Sequence, residues 1–400
     1  MLMNYFISLS TLIDVILAIK PFHGCDYFQN VEVGKSYDIF SPEYSQNGES
    51  NREVMECRWD AMAPAGYILI LECEVYLPLS DDCNEGRIEV SASGKLDLED
   101  ADRYCGTQPF QTESVGNRMV IALKRAKTYE GKFKCHVYLK PDITFPCECG
   151  HRKRNRIVGG VQTLVNEFPM VGGLTLKNLP YVFCGATIIA QSFAITAAHC
   201  LRRKNLNYMA LLVGDHNYRT ADETRYAALY KLSKVQIHPE YDPVENKNDM
   251  ALIQTQYAMQ FNEAVGAVCL PFRHVDSFEK FNNKIVEAVG WGASEFAGPP
   301  SPFLQKVKLN VISNSQCSEA YPEEISSDQL CTYSYDKDTC QSDSGGPLLY
   351  TEPSNNLLYL VGVVSYGRGC ATENPGVSAR VTSYMEWIQL NTPNVRYCVK

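Results

Sequence analysis

Sixteen cysteines in a chain of 400 residues are what most restricts the fold. Their spacings are short and regular, and none forms a Cys-x-x-Cys pair of the zinc-binding kind, so they read as disulfides made in an oxidising compartment. At about 100–200 residues per domain the length exceeds one ordinary core, and two units account for it. The N-terminus agrees with the compartment. Tyr5 to Ile19 is an apolar stretch interrupted by Asp14, shorter than the roughly 20 residues a bilayer span needs, and no other segment is a candidate for a span. A signal peptide over residues 1–18, cut after Ala18, and a secreted, extracellular product are therefore expected, with no membrane as partner. The formal net charge of −9 and pI ≈ 5.4 argue against nucleic acid, whose phosphates are bound by Lys and Arg. There is no Asn-x-Ser/Thr sequon, so N-glycosylation is not expected.

From about Cys25 to Leu139 apolar and polar residues alternate with a period of two, the mark of half-buried strands. Leu69, Leu71, Cys73, Val75 and Leu77 share one face, and Ile70, Glu72, Glu74 and Tyr76 the other. Phe133, Cys135, Val137 and Leu139 repeat the pattern, so Cys73 and Cys135 are both expected to point inward. Residues 141–156 hold Cys147, Cys149 and the basic run Arg152-Lys153-Arg154, and read as a linker. Such a run is normally solvated, and Ile157 close behind it suggests a protease-sensitive loop. From Ile157 to about Leu390 the segments are again rich in strand patterns, ending with Val381, Tyr384, Met385 and Ile388 at the spacing of one closing helix.

Three segments in this second region carry chemistry: Ile195-Thr-Ala-Ala-His199-Cys200, Asn248-Asp249-Met250-Ala251-Leu252 and Cys340-Gln-Ser342-Asp343-Ser344-Gly-Gly-Pro347. A serine hydroxyl is a poor nucleophile until an imidazole takes its proton and a carboxylate fixes the tautomer of that imidazole. Singly, a Ser-Gly-Gly is a turn and a lone His is surface or core. Together, in this order and downstream of Arg156-Ile157-Val158-Gly159-Gly160, they resemble the chymotrypsin and trypsin family of serine proteases.

That resemblance implies paired antiparallel β-barrels and a catalytic trio of His199, Asp249 and Ser344, with an oxyanion hole from the backbone N–H groups of Ser342 and Ser344. It implies that a cut after Arg156 frees the amine of Ile157 to pair with Asp343, a buried carboxylate that a new ammonium can offset. A capping turn is the blander reading of Asp343. Asp338, six residues before Ser344, matches the floor of a pocket selecting Arg or Lys, a loop cap being the blander reading. Ser365, Gly367 and Gly376 match the pocket wall. Ser365-Tyr366-Gly367 stands in place of Ser-Trp-Gly and Ser378 where Tyr is common, changes that alter the pocket. Disulfides implied are Cys184–Cys200, Cys317–Cys331 and Cys340–Cys370, with Cys269 joined to either Cys147 or Cys149; the even cysteine count alone leaves the other for Cys398. The loop Gly214-Asp215-His216 to Arg225 resembles the family's calcium loop but places a guanidinium where a carboxylate is needed, so no calcium is expected there. The family motif has Gly where this chain has Ser342, whose Cβ opposes a conformation glycine adopts freely.

In the first region, Cys57-Arg58-Trp59, the strand from Tyr67 to Leu77, Cys83 and Cys105-Gly106 resemble a CUB domain, an extracellular β-sandwich. The resemblance implies the pairs Cys25–Cys57 and Cys83–Cys105, with Cys73–Cys135 as an additional bridge. Asn84-Glu85-Gly86 departs from the calcium-binding arrangement of such domains, so no metal or other cofactor is expected. A protein ligand for this module is one reading and a stabilising domain without a ligand is the other. The expectation is an all-β chain: signal peptide 1–18, CUB domain 25–140, linker and activation segment 141–156, and trypsin-like domain 157–393. The layout resembles arthropod CUB serine proteases of the insect venom type. The implied function is a secreted endopeptidase acting on protein or peptide substrates with Arg or Lys. The rival is a catalytically silent homologue using the fold as a binding module.

Overall fold

The computed structural model describes residues 24–40, 55–79, 82–125, 131–142, 147–153, 162–177, 179, 181–220, 223–274, 281–292, 299–322, 324–333, 344–367, 374–392 and 395–400. The signal peptide expected over 1–18 lies outside the described residues. The chain divides into two compact units, Met1–Pro146 with Pro393–Arg396, and Cys147–Thr392 with Tyr397–Lys400. Among the described residues, no helix is long and apolar enough to cross a membrane.

The first unit is built from β1 (Gly24–Asn30), β2 (Ser36–Phe40), β3 (Met55–Met62), β4 (Tyr67–Tyr76), β5 (Gly86–Ser91), β6 (Asp102–Tyr104), β7 (Phe110–Glu113), β8 (Arg118–Arg125) and β9 (Lys132–Pro141). They form two sheets, β1-β3-β8-β5-β6 and β2-β9-β4-β7. Both sheets contribute to one core, Trp59, Val90 and Ile121 from one and Leu69, Leu71 and Val137 from the other, a β-sandwich. Period-two alternation explains why: Leu69, Leu71, Cys73, Val75 and Leu77 are all buried, while Glu72, Glu74 and Tyr76 are exposed. Ile70, expected on the outer face, is buried as well. Cys73 and Cys135 stand directly opposite in the β4–β9 ladder and are bonded to each other, and Cys83 is bonded to Cys105. Cys57 is also in a disulfide and lies opposite Cys25 in the parallel β1–β3 pairing. Buried charge is matched: both carboxylate oxygens of Asp60 accept from the Arg118 guanidinium, at 2.8 and 2.6 Å.

The second unit holds two closed six-stranded antiparallel barrels. The first comprises β10 (Val171–Leu176), β11 (Cys184–Ala190), β12 (Phe193–Thr196), β13 (Met209–Val213), β14 (Ala228–Ile237) and β15 (Ala251–Thr255), and closes where β10 pairs with both β11 and β13. The second comprises β16 (Ile285–Gly290), β17 (Gln305–Ile312), β18 (Gln329–Tyr333), β19 (Pro347–Thr351), β20 (Leu358–Tyr366) and β21 (Gly376–Arg380), and closes where β16 pairs with both β17 and β19. Helices are short: α1 (Ala198–Leu201), α2 (Asn314–Ser318), capped at both ends of its first turn by Ser313 and Gln316, and α3 (Met385–Asn391), entered through a 3₁₀ turn over Val381–Tyr384. Val381, Tyr384, Met385 and Ile388 are buried, as the helical spacing predicts. The all-β architecture expected from the sequence is the one observed.

The stretch from Cys147 to Lys153 is not a solvated linker but part of the second unit. Gly150 donates its N–H to Ala267 O at 2.8 Å and accepts from Leu358 N–H at 2.9 Å. Its φ of +69°, and the 2.5 Å that would separate a Cβ there from Leu358 O, exclude any side chain. Cys149 is bonded to Cys269 and Cys147 to Cys398. Arg152, in the run expected as a protease-sensitive loop, is held by buried Glu167 and Glu287 and lies over the Phe168 ring at 4.7 Å. Glu167 also receives Lys306 at 2.6 Å. Burial alone would raise the Glu167 carboxyl, but Lys306, the Leu164 N–H and Arg152 outweigh it and hold it below the usual range.

Candidate active site

Strand register brings His199 and Asp249 together. β12 and β15 are antiparallel with Thr196 opposite Ala251 as the last pair, so the residues just after β12 and just before β15 leave the barrel at one end. His199 sits in α1, three residues past Thr196, and Asp249 two residues before Ala251. Asn248 turns the chain with a φ of +51°, a conformation Asn tolerates better than most residues.

The Asp249 side chain is 1% exposed and accepts three hydrogen bonds: His199 N–H at 2.9 Å, His199 Nδ1–H at 2.7 Å and the Ser365 hydroxyl at 2.5 Å. A buried carboxylate without donors would be very costly, and these supply them. Donation from Nδ1 to Asp249 fixes the neutral ring with its lone pair on Nε2. The His199 side chain is 29% exposed, so that nitrogen is open to a reactant. Tyr241 faces the same corner, and burial together with the Asp249 charge pushes its phenol up.

Ser344 occupies the turn leading into β19, with Gly345 at a φ of +77°. The turn is tied to both barrels. Ser344 O accepts from Gly185 N–H at 2.8 Å in the first, and Gly345 N–H donates to Val364 O at 2.8 Å in the second. Gly185 packs so closely that a Cβ there would lie 2.6 Å from Gly346 Cα, and Gly185 O accepts from the Thr196 hydroxyl at 2.7 Å. The disulfide Cys184–Cys200 links the start of β11 to α1 beside this turn. Sulfur and imidazole atoms of Cys184, Cys200 and His199 lie within 4.8 Å of one another, yet the two sulfurs are bonded together and cannot serve as thiolate ligands.

Of the pocket residues, Gly376 opens β21 and is buried, Gly367 is exposed just after β20, and Ser378 is buried in β21 opposite Leu330 and Val364. Tyr366 stacks edge-on against Tyr321 at 5.9 Å and joins the cluster around the Cys317–Cys331 disulfide. Ser365 was assigned from the sequence to the pocket wall, and its hydroxyl on Asp249 was not foreseen. Asp338, Ser342, Asp343, Cys340, Cys370, Arg156 and Ile157 lie outside the described residues. In the loop resembling a calcium site, burial and the neighbouring Glu223 charge push Asp215 up to about 6, while Arg225 points its guanidinium to the Tyr226 hydroxyl at 2.7 Å.

Comparison with known proteins agrees with this geometry. The trypsin family model matches residues 157–388 and the CUB domain model residues 25–135. Venom serine protease 34 of Apis mellifera is 35% identical over 382 residues, covering 94% of this chain and 89% of its own. A venom serine protease of Polistes dominula is 43% identical over 256 residues, 63% of this chain and 91% of its own. The clotting factor G beta subunit of Tachypleus tridentatus is 32% identical over 258 residues, 60% of this chain and 81% of its own.

Proposed function

Because the chain belongs to the trypsin family of serine proteases and carries a CUB domain, we propose that it is a secreted, trypsin-like zymogen that, once cut, cleaves peptide bonds after Arg or Lys. In this reading the chain is a signal peptide 1–18, a CUB domain 25–140, a linker and activation segment 141–156 whose part from Cys147 to Lys153 is seated on the second unit, and a protease domain 157–393. The observation that carries the reading is the Asp249 carboxylate, buried and accepting from His199 Nδ1 at 2.7 Å, beside a Ser344 turn fastened to both barrels. The venom proteases among its relatives, together with the apolar N-terminus, support secretion and a venom role.

In this mechanism Ser344 Oγ attacks the scissile carbonyl carbon as His199 Nε2 takes its proton. Asp249 stays ionised and steadies the imidazolium. The oxyanion is met by the N–H groups of Ser342 and Ser344, each worth about 10²–10³ in kcat. His199 then protonates the leaving amine, leaving an acyl-enzyme on Ser344. Water, its proton taken by His199, adds to the acyl carbon; the bond from that carbon to Ser344 Oγ then breaks as His199 returns the proton to Oγ, freeing the carboxylic acid. Asp338 selects the Arg or Lys side chain through its charge, and Gly367 and Gly376 leave room for it. Protein and peptide chains bearing Arg or Lys are the substrates, and the CUB domain offers a site for a protein ligand. Hydrolysis of a small Arg ester by the chain cut at Arg156, and its absence from the uncut chain, is the direct test.

Two further outcomes follow. Arg156→Gln is expected to remain inactive after treatment with trypsin, because the Ile157 ammonium that offsets Asp343 never forms; an active enzyme with a different N-terminus by mass spectrometry would refute the ion-pair account. A serine held at positive φ, where the family motif has glycine, would cost about 1–2 kcal/mol in stability. Ser342→Gly is expected to leave hydrolysis of small Arg substrates within about tenfold while tightening bulky protein inhibitors. A hundredfold rise in kcat would show instead that Ser342 disables the oxyanion hole.

A further inference from the structure

The corner that delivers Asp249 is held by residues from the other barrel. Asp328, in the loop before β18, is half-buried, and its Oδ2 lies 3.4 Å from Asn248 N and 2.9 Å from the Tyr384 hydroxyl. Tyr384 belongs to the 3₁₀ turn leading into α3 and is 3% exposed. Its oxygen also lies 3.3 Å from Asn248 Oδ1, and its single proton serves the carboxylate, the stronger acceptor. The Asn248 amide donates from Nδ2 to Glu240 O at 3.1 Å. The corner is thus pinned through its backbone N–H and through its side chain. Asp328 is itself fixed, since Arg380 N–H donates to Asp328 O at 2.7 Å and the Arg380 guanidinium donates to the carbonyls of Ser327 and Gln329 on either side.

We propose that Asp328 is a positioning residue for the reaction, acting through Tyr384 and Asn248 to aim the Asp249 carboxylate at His199. The inference rests on the catalytic reading of Asp249 given above. Its physical basis is the left-handed backbone at Asn248, a conformation that costs a non-glycine residue, even the tolerant Asn, and that surrounding contacts hold in place. Without the Asp328 carboxylate the Asn248 N–H loses its acceptor, the corner relaxes, and the carboxylate one residue on moves relative to the imidazole. A misplacement of about 1 Å in a reacting constellation costs about 10²-fold in rate. The charge on Asp328 is well supported: burial opposes it, but hydrogen bonds from Ser326, Tyr384 and backbone N–H groups hold its carboxyl below the usual range.

The test uses the full chain after cleavage at Arg156, with rates expressed per titrated active site. Asp328→Ala is expected to lower kcat for a small Arg ester by about 10²-fold with KM within about threefold. The acid limb of kcat/KM should move to lower pH, because an imidazolium with a misaligned partner gives up its proton more easily. His238, edge-on to Tyr384, and Tyr241 face the same corner; burial lowers the His238 pKa while the Glu240 and Asp328 charges raise it, so Asp328→Asn, which removes the charge and keeps the acceptors, is the control for its titration. Asp328→Asn keeps an oxygen acceptor for both donors and should restore kcat to within about threefold. If Asp328→Ala yields no folded enzyme, Tyr384→Phe decides, keeping the ring and losing the hydroxyl; a severalfold drop in kcat with the same acid-limb shift is expected. Asp249→Asn run in parallel separates the two levels of the claim. Full activity in that variant would overturn the catalytic reading itself. Loss there, with an unchanged kcat and pH profile in Asp328→Ala or Tyr384→Phe, would overturn the positioning role alone.

Discussion

Replacing Ser344 by alanine is expected to lower kcat by about 10⁶, leaving only what binding and the oxyanion hole sustain. The fold should hardly notice. Ser344 supports the turn through its backbone carbonyl, which accepts from Gly185 N–H, and the left-handed position in the turn belongs to Gly345. Alanine keeps both. The loss should therefore appear in kcat with the melting temperature unchanged, measured as Arg ester hydrolysis and thermal unfolding on one activated preparation. Hydrolysis retained by the purified variant would remove Ser344 from the mechanism.

Asp338→Ser is expected to lower kcat/KM for Arg substrates by about 10²–10⁴. Breaking a buried charge pair costs about 3–5 kcal/mol, and each 1.4 kcal/mol or so is a factor of ten in rate. Substrates with an apolar side chain at the cleaved position present no charge to be stranded and should change far less. A peptide library read after activation measures both. A profile dominated by Phe, Leu or Ala in the unaltered enzyme would reject Asp338 as the selecting charge.

What could be read from the sequence was what short-range pattern encodes. Alternation along Leu69 to Leu77 placed the sandwich core, and the helical spacing from Val381 to Ile388 placed the closing helix, because each depends only on near neighbours. The segments around His199 and Asp249 were legible for the same reason, whereas their meeting depends on the β12–β15 register. Long-range pairings were invisible. The Ser365 hydroxyl reaches Asp249 across 116 residues, and Arg152 reaches Glu287 across 135. A basic run looks solvated until its carboxylate partners are found, and nothing local to Arg152 announces them. Asp328 escaped notice likewise, and Tyr384 was legible only as a closing-helix residue: neither points to the corner until the barrels close around Asn248.

The seating of Cys147 to Lys153 on the second unit bears on how many molecules a cut makes. Two sulfur bonds, Cys147–Cys398 and Cys149–Cys269, lie on the N-terminal side of Arg154, so hydrolysis anywhere from there to Gly160 severs the chain without releasing a fragment. The sandwich and the barrels then remain one particle in fixed one-to-one stoichiometry. For a ligand of the sandwich, tethering of this kind sets an effective concentration that reaches the millimolar range over short flexible spans. Any target the first unit were to hold would meet the second at that effective concentration rather than at its dilution in the surrounding fluid.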